Sequence, residues 1–171
     1  MTDDHFSLFG LPSRYAVDVQ ALESAWREVA ARVHPDRYAT ASAAEKRVAM
    51  QWSARANEAY RTLRDPLQRA RYLCEQRGVD LQTESNTAMA PGFLMQQMEW
   101  REALDEARAG DSPERFDALA GELAESEADL QATVTRLLDE DDDAQQAGQR
   151  VREWMFLDRL RQELRQSRYR T

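Results

Sequence analysis

The chain contains few of the residues on which several large protein classes depend. Its 171 residues include one cysteine, six glycines and five prolines. A single cysteine excludes an intramolecular disulfide and a zinc site built from four cysteines. Because all-β folds need many turns rich in glycine and proline, so few of these residues favour a helical protein.

Signals for membrane insertion and export are also missing. No apolar run approaches the roughly 18 residues that would span a bilayer. The acidic segment at residues 1–5 does not have the basic and apolar regions of a signal peptide. We therefore expect a reduced, cytoplasmic protein with no membrane segment.

The net charge of −8 is divided unevenly along the chain. Residues 1–78 contain 12 Arg and Lys against 10 Asp and Glu, whereas residues 79–171 contain 11 against 21. This division predicts two parts with different partners. Nucleic acid is not expected to be one of them, because phosphate binding needs a positive surface that the acidic part does not offer.

Helical periodicity and cap residues predict an all-α fold, beginning with two long helices in the N-terminal part. Asp18 and Ser42 are the predicted N-caps, and Pro35 should end the first of these helices. Trp26 and Tyr60 are expected in the core between them. The apolar stripes that predict this contact are Leu22, Ala25, Trp26, Val29 and Val33, and then Val48, Trp52, Ala56, Ala59, Tyr60 and Leu63.

Residues 79–91 interrupt the periodicity and are predicted to form a connector. Three helices should follow, at about 92–109, 113–139 and 144–168, and pack as a bundle. The apolar stripes of the last two are Phe116, Ala120, Leu123, Glu127, Leu130, Val134 and Leu137, and then Trp154, Leu157, Leu160 and Leu164. Glu127 interrupts its stripe and should lie near the edge of the contact.

The tripeptide His34-Pro35-Asp36 is the most informative motif. On its own it is weak, because about one chain in a hundred of this size would contain it by chance. Pro35 fixes the turn and removes a backbone donor. His34 and Asp36 should therefore project from a rigid tip that loses little conformational entropy on docking. The Asp36 carboxylate suits a bidentate arginine on a partner.

The surroundings of this tripeptide resemble the J-domain family over residues 5–77. The tripeptide lies between two amphipathic helices, has Arg32 and Arg37 beside it, and is followed by the sequences ANEAYRTLRDP and RARY. The resemblance implies a helical hairpin that exposes the tripeptide at its tip. It also implies that the tip docks on a DnaK-type chaperone and stimulates the ATPase of that partner, with steering by basic residues such as Arg27 and Arg32.

Two other roles for His34 are compatible with its position. It could cap the C-terminus of the first long helix, or act as a general base oriented by Asp36. A general base needs a pocket and partners, and no nucleophile motif, phosphate loop or metal spacing occurs elsewhere. The acidic run at 139–143 has no ligand spacing and is predicted to be a solvated turn that caps the next helix. We expect no enzymatic activity, no cofactor and no metal.

The helix that begins near residue 93 has two apolar sectors. One is assigned to the core and consists of Phe93, Trp100, Ala103, Leu104 and Ala107. The other spans about 140° and consists of Leu94, Met95, Met98, Glu99, Glu102 and Glu106. Methionine beside acidic residues is typical of an adaptable docking surface. The pattern alone leaves open whether this second sector binds a partner or packs within the chain.

This segment resembles the C-terminal domain of HscB-type J-proteins, and the resemblance extends over nearly the whole chain, including residues 6–12 and 67–73. It implies that an IscU-type iron–sulfur scaffold binds the second sector and Phe156, and that the DnaK-type partner is an HscA-type chaperone. The absence of N-terminal cysteine pairs indicates the bacterial form.

We therefore predict a J-domain at 1–78, a connector at 79–91 and a client-binding three-helix domain at 92–171, in a monomeric protein. Two alternatives stay open at this point. The chain could be a J-domain co-chaperone for an unrelated client, or a helical interaction protein with no chaperone role.

Overall fold

The computed structural model describes residues 4–82 and 89–170. All regular elements in these two ranges are helical, which confirms the predicted all-α fold. The chain divides into two compact units, residues 1–73 and 74–171. None of the helices described is long and apolar enough to cross a membrane.

The first unit is built on a hairpin of two long helices. Helix α1 spans His5–Leu8, α2 spans Val19–Arg32, and α3 spans Ala43–Arg64. A 3-10 helix at Pro35–Tyr38 joins α2 to α3, and α4 follows at Pro66–Gln76. This arrangement is the predicted J-domain hairpin.

The ends of α2 and α3 are where the cap residues predict them. The Asp18 carboxylate accepts from the backbone N–H groups of Gln20 and Ala21, at 3.0 and 3.3 Å. The Ser42 hydroxyl accepts from the backbone N–H of Glu45 at 3.2 Å. Both side chains satisfy donors that the first turn of a helix leaves unpaired.

The predicted core of the hairpin is partly wrong. The side chain of Val48 is 52% exposed and that of Trp52 is exposed as well, while Trp26 and Tyr60 are only half-buried. The residues that α3 buries are Ala49, Ala56, Ala59 and Leu63. Because three of these are alanine, the helices can approach closely. The bulky side chains then lie beside the contact instead of inside it.

The second unit contains the predicted three-helix bundle. Helix α5 spans Pro91–Gly110, α6 spans Pro113–Asp139, and α7 spans Ala144–Arg168. The α7 stripe is confirmed, since all four of its predicted residues are buried, namely Trp154, Leu157, Leu160 and Leu164. The α6 stripe is confirmed at Phe116, Leu123, Val134 and Leu137, and it also includes Leu119 and Leu138, which the sequence analysis did not assign.

Glu127 lies at the edge of the contact between α6 and α7, as predicted. Its carboxylate forms an ion pair with Arg161 and accepts from the indole N–H of Trp154 at 3.3 Å. The acidic run forms a turn, and Asp143 accepts from the backbone N–H of Gln146 at 3.1 Å as the N-cap of α7. Among the described residues, no group of three or more His, Cys, Asp or Glu is placed to hold a metal ion.

The segment before the bundle belongs structurally to the second unit. Val79 and Leu81, at the start of the predicted connector, are both buried, and Val79 packs against Gly148 of α7. The division of the chain falls between Leu73 and Cys74, ahead of the predicted boundary at residue 78. Connector residues 83–88 lie outside the described residues.

Candidate functional site

The tripeptide His34-Pro35-Asp36 forms an exposed turn at the start of the 3-10 helix. The imidazole Nδ1 of His34 accepts from the backbone N–H of Asp36 at 3.2 Å and lies 3.6 Å from the Asp36 carboxylate. Because Nδ1 is the acceptor, the proton of the neutral ring is on Nε2 and can be donated to a partner. The side chain of Asp36 is 92% exposed. The turn is thus closed by its own side chain before any partner binds.

This geometry differs from the capping role considered for His34. The C-cap of α2 is Val33, whose backbone N–H donates to the Val29 carbonyl at 3.2 Å. His34 instead caps the first turn of the following 3-10 helix. The histidine therefore stabilises the tip and not the end of α2.

The three basic residues predicted near the tip are all exposed, but they are not equivalent. Arg27 forms an ion pair with Glu23 at 2.6 Å, one turn earlier on α2. Glu23 therefore partly neutralises the charge that Arg27 offers to a partner. Arg32 and Arg37 flank the tripeptide more closely and carry more of the positive potential there.

Two apolar grooves adjoin the tip within the first unit. One, of about 680 Å³, includes Val33, Val48 and Trp52 in its lining. The other, of about 610 Å³, includes Pro35 and the exposed Met50. These grooves do not follow from the sequence, because the periodicity of α3 predicts Val48 and Trp52 to be in the core.

In the second unit, α5 has the two sectors that its periodicity predicts. Trp100, Leu104 and Ala107 are buried. The side chains of the second sector point to solvent, with Leu94, Met95 and Met98 exposed by 44, 65 and 72%. Glu99, Glu102 and Glu106 are exposed as well. The alternative in which this sector packs against a neighbouring helix of the bundle is therefore wrong.

Phe156 of α7 lies beside the second sector and is held from two sides. Its ring meets that of Phe93 edge to face, with centroids 6.4 Å apart. The Arg101 guanidinium lies 5.7 Å above the Phe156 ring and is itself held by the Glu163 carboxylate through two hydrogen bonds of 2.7 and 3.2 Å. Phe156 is thus half-buried and fixed in orientation.

A groove of about 760 Å³ brings several predicted residues of α5 and α7 together. Met98, Glu102, Glu106 and Phe156 all line it, while Leu94, Met95 and Glu99 are on α5 but not in its lining. Arg101 also lines the groove and was missed. Its neighbours in sequence gave no signal, because its role depends on contacts with Phe156 and Glu163 on another helix.

The single cysteine is in an environment that makes its thiol unreactive. Cys74 is buried, and loss of solvation raises the pKa of its thiol to about 11. It therefore stays protonated near neutral pH, and a protonated thiol is a poor nucleophile and a poor metal ligand.

The chain is similar along nearly its whole length to proteins of one family. Residues 89–165 match the family model described as HSCB C-terminal oligomerisation domain. The Co-chaperone protein HscB homolog of Bordetella pertussis is 70% identical over 162 residues, which cover 95% of this chain and 94% of that one. The homolog of Cupriavidus taiwanensis is 55% identical and covers 94 and 90%.

Two solved structures are similar to the chain over nearly its whole length. Chaperone HscB from Vibrio cholerae matches with a TM-score of 0.82 and 33% identity over 96% of each chain. Human co-chaperone protein HscB matches with a TM-score of 0.91 and 25% identity, over 99% of this chain and 84% of that one. An exposed His-Pro-Asp tip on a helical hairpin is the mark of a J-domain protein, and the matched relatives are co-chaperones. More narrowly, the chain belongs to the HscB family, which confirms the resemblance found in the sequence.

Proposed function

We propose that this co-chaperone stimulates the ATPase of an HscA-type DnaK-family chaperone and delivers an IscU-type iron–sulfur scaffold to it, in the cytoplasm. The observation that carries the proposal is the presence of two exposed, preformed surfaces in one chain. The first is the tip at His34, Pro35 and Asp36, and the second is the exposed sector of α5 with Phe156 beside it.

The tip would dock on the chaperone without chemistry of its own. Asp36 offers a carboxylate to an arginine of the partner, and the turn that presents it is already closed by His34. Little conformational entropy is then lost on binding. Arg27, Arg32 and Arg37 add positive charge that steers an acidic partner surface. The hydrolysed nucleotide belongs to the chaperone, so this chain would have no catalytic residue and need no cofactor.

The exposed sector of α5 would bind the scaffold. Leu94, Met95 and Met98 supply apolar anchors, and Phe156 supplies an aromatic one that is already oriented. Few residues dominate most interfaces, and aromatic anchors are common among them. Glu99, Glu102 and Glu106 favour a basic partner surface. Hydrolysis in the chaperone would then trap the scaffold and ease transfer of its cluster.

A second candidate role for the same sector is contact between copies of this chain. The description of the matching family model as an oligomerisation domain favours it. Our expectation is a monomer, because the Glu99 and Glu102 carboxylates of this sector form no ion pair with a described residue and would repel those of a second copy. Sedimentation of the purified protein over a range of concentrations distinguishes the two roles.

The variant His34→Gln tests the docking proposal. Glutamine keeps a hydrogen-bond acceptor, so the fold should survive, but it cannot present the imidazole to the chaperone. We expect stimulation of the HscA-type ATPase to be abolished, with thermal melting and affinity for the scaffold unchanged. Steady-state hydrolysis with and without the variant measures the first, and calorimetric titration measures the last. Full stimulation by a variant that melts like the wild type would contradict the proposal.

A further inference from the structure

A second, smaller pocket also has Phe156 in its lining. Its volume is about 220 Å³, and its apolar lining comes from Leu81, Met89, Met155 and Phe156. Pockets that hold drug-sized ligands typically measure about 300–1,000 Å³, so this one suits a single side chain. Phe156 lines both this pocket and the groove along α5, so the two cavities share one aromatic side chain.

The two cavities that share Phe156 differ in the charge of their lining residues. In the groove along α5, the charged lining residues are Glu102, Asp105 and Glu106 against one arginine, Arg101. Three of these four are ion-paired, Arg101 with Glu163, Glu106 with Arg115 at 3.5 Å and Asp105 with Arg108 at 3.6 Å. Glu102 is the lining carboxylate that has no ion pair with a described residue. In the smaller pocket, Arg152 and Arg159 are the charged residues, and none of its described lining residues is acidic.

The two arginines of the smaller pocket differ in their surroundings. Arg152 is half-buried and donates to the backbone carbonyl of Asp80, which fixes its position. Arg159 is exposed and forms no ion pair with any described residue. Arg159 is therefore the group that can pair with a carboxylate from outside the chain.

Building on the scaffold-binding role proposed above, we propose that the client surface continues past Phe156 onto Met155 and Arg159, and that it receives an acidic side chain of the IscU-type scaffold there. Along the client segment, a basic group would then lie over Glu102, an apolar group on Phe156 and a carboxylate at Arg159. A segment laid down in the reverse direction would place like charges together, which is strongly unfavourable. The charge pattern thus fixes the direction in which the client binds.

Calorimetric titration of full-length variants with the apo IscU-type scaffold tests this inference. Arg159→Ala should weaken binding about two- to fivefold, the range of an exposed ion pair. Arg159→Glu should weaken it at least about tenfold, because a carboxylate would face a carboxylate. The loss should shrink as salt is raised, since screening weakens both the attraction and the repulsion. Arg165→Glu is the matched control, an exposed arginine of the same helix that lines neither cavity, and it should bind like the wild type.

The outcomes separate this inference from the role on which it rests. If Arg159→Glu binds like Arg165→Glu while alanine at Leu94, Met95 and Met98 weakens binding, the client surface ends at Phe156 and the inference is wrong. If neither set of changes weakens binding, the scaffold-binding role itself fails. A change in sedimentation of Arg159→Glu with unchanged scaffold affinity would mean that a second copy of the chain occupies the pocket, which also overturns the inference.

Discussion

Trp26 and Tyr60 show that the contribution of an aromatic side chain to stability depends on how deeply it is buried. Their rings stack with centroids 4.4 Å apart and nearly parallel planes, and the Trp26 indole N–H donates to the Asn57 side chain at 3.0 Å. Both residues remain half-buried. The pair therefore contributes a stacking contact and a hydrogen bond at the surface of the hairpin, and not the filling of a core.

The resulting prediction is that Trp26→Ala lowers the free energy of unfolding by only about 1–3 kcal/mol, the sum of one aromatic pair and one hydrogen bond. Leu22→Ala, on the same helix, should cost about 2–5 kcal/mol, because Leu22 is fully buried and its truncation leaves a cavity. Urea unfolding of both variants measures the difference. A larger loss for Trp26→Ala than for Leu22→Ala would place the tryptophan in the core, as the periodicity alone suggested.

Residue types at single positions predicted the tip better than they predicted the core. Proline between two polar residues has one strong conformational consequence, so the exposed turn follows from His34-Pro35-Asp36 directly. Burial at Trp52 or Val48 depends instead on which side of α3 faces its neighbours. Alanine occurs on both the buried and the exposed faces of helices. The alanines of α3 therefore do not reveal that this helix approaches its neighbour closely.

At the scale of elements, the packing of residues 79–81 on α7 depends on a glycine. A Cβ atom added at Gly148 would lie 2.6 Å from a methyl carbon of Val79, much closer than van der Waals contact. Valine has few rotamers with which to move away. Gly121, in α6, has no atom within 4 Å of the corresponding position.

We accordingly predict opposite effects of two otherwise identical substitutions. Gly121→Ala should raise the free energy of unfolding by about 1 kcal/mol through helix propensity. Gly148→Ala should gain the same amount but lose about 1–3 kcal/mol to overpacking, so it should be the less stable variant. Thermal or urea unfolding checks the order, and equal stabilities would show that residues 79–81 do not rest on α7.

For the exposed sector of α5, we predict substitutions that lower affinity for the scaffold but leave the stability of the fold almost unchanged. Changing Leu94, Met95 and Met98 together to alanine should alter the free energy of unfolding by less than about 0.5 kcal/mol per site, since these side chains are exposed. Affinity for the IscU-type scaffold should fall about fivefold or more per anchor, which corresponds to about 1 kcal/mol each.

Met50→Ala is the matched control for this triple variant. Met50 is as exposed as Met98 but belongs to the first unit, so its truncation should leave scaffold affinity unchanged. Titration calorimetry next to a thermal melt separates the outcomes. Unchanged affinity of the triple variant would show that the client site is not on α5. A lowered melting temperature would show that Leu94, Met95 and Met98 belong to the core.

The sequence predicts the features that depend on residues close together in the chain, and it does not predict those that depend on contacts between distant helices. The caps at Asp18 and Ser42 and the stripe on α7 rest on residues within a few turns, and they are confirmed. The groove between α5 and α7 rests on which faces of two distant helices meet. Leu94, Met95 and Met98 could be assigned to an exposed sector, but the clamp of Arg101 on Phe156 required the fold.

At the scale of the whole molecule, the two compact units separate the two proposed tasks. The tip belongs to the first unit and the exposed sector of α5 to the second. A single chain that carries both raises the effective concentration of client at the chaperone to which the tip is docked. The uneven charge along the sequence predicts the same division into two parts with different partners.

The covalent link gives a prediction that neither unit could give alone. His34→Gln should bind scaffold but not stimulate the ATPase, and the Leu94, Met95 and Met98 triple variant should stimulate it but not bring the scaffold. If delivery depends on both surfaces in one chain, an equimolar mixture of the two variants should not restore the extra stimulation that scaffold produces with the wild type.

The measurement is ATP hydrolysis by the HscA-type chaperone at a scaffold concentration well below saturation, where a tether matters most. Wild-type chain diluted to the same concentration with His34→Gln is the control, and it should keep about half of the extra stimulation, because His34→Gln binds scaffold equally well and takes half of it. A mixture that performs like this control would mean that scaffold and tip act on the chaperone independently, and the chain would then be an ATPase activator without a delivery role.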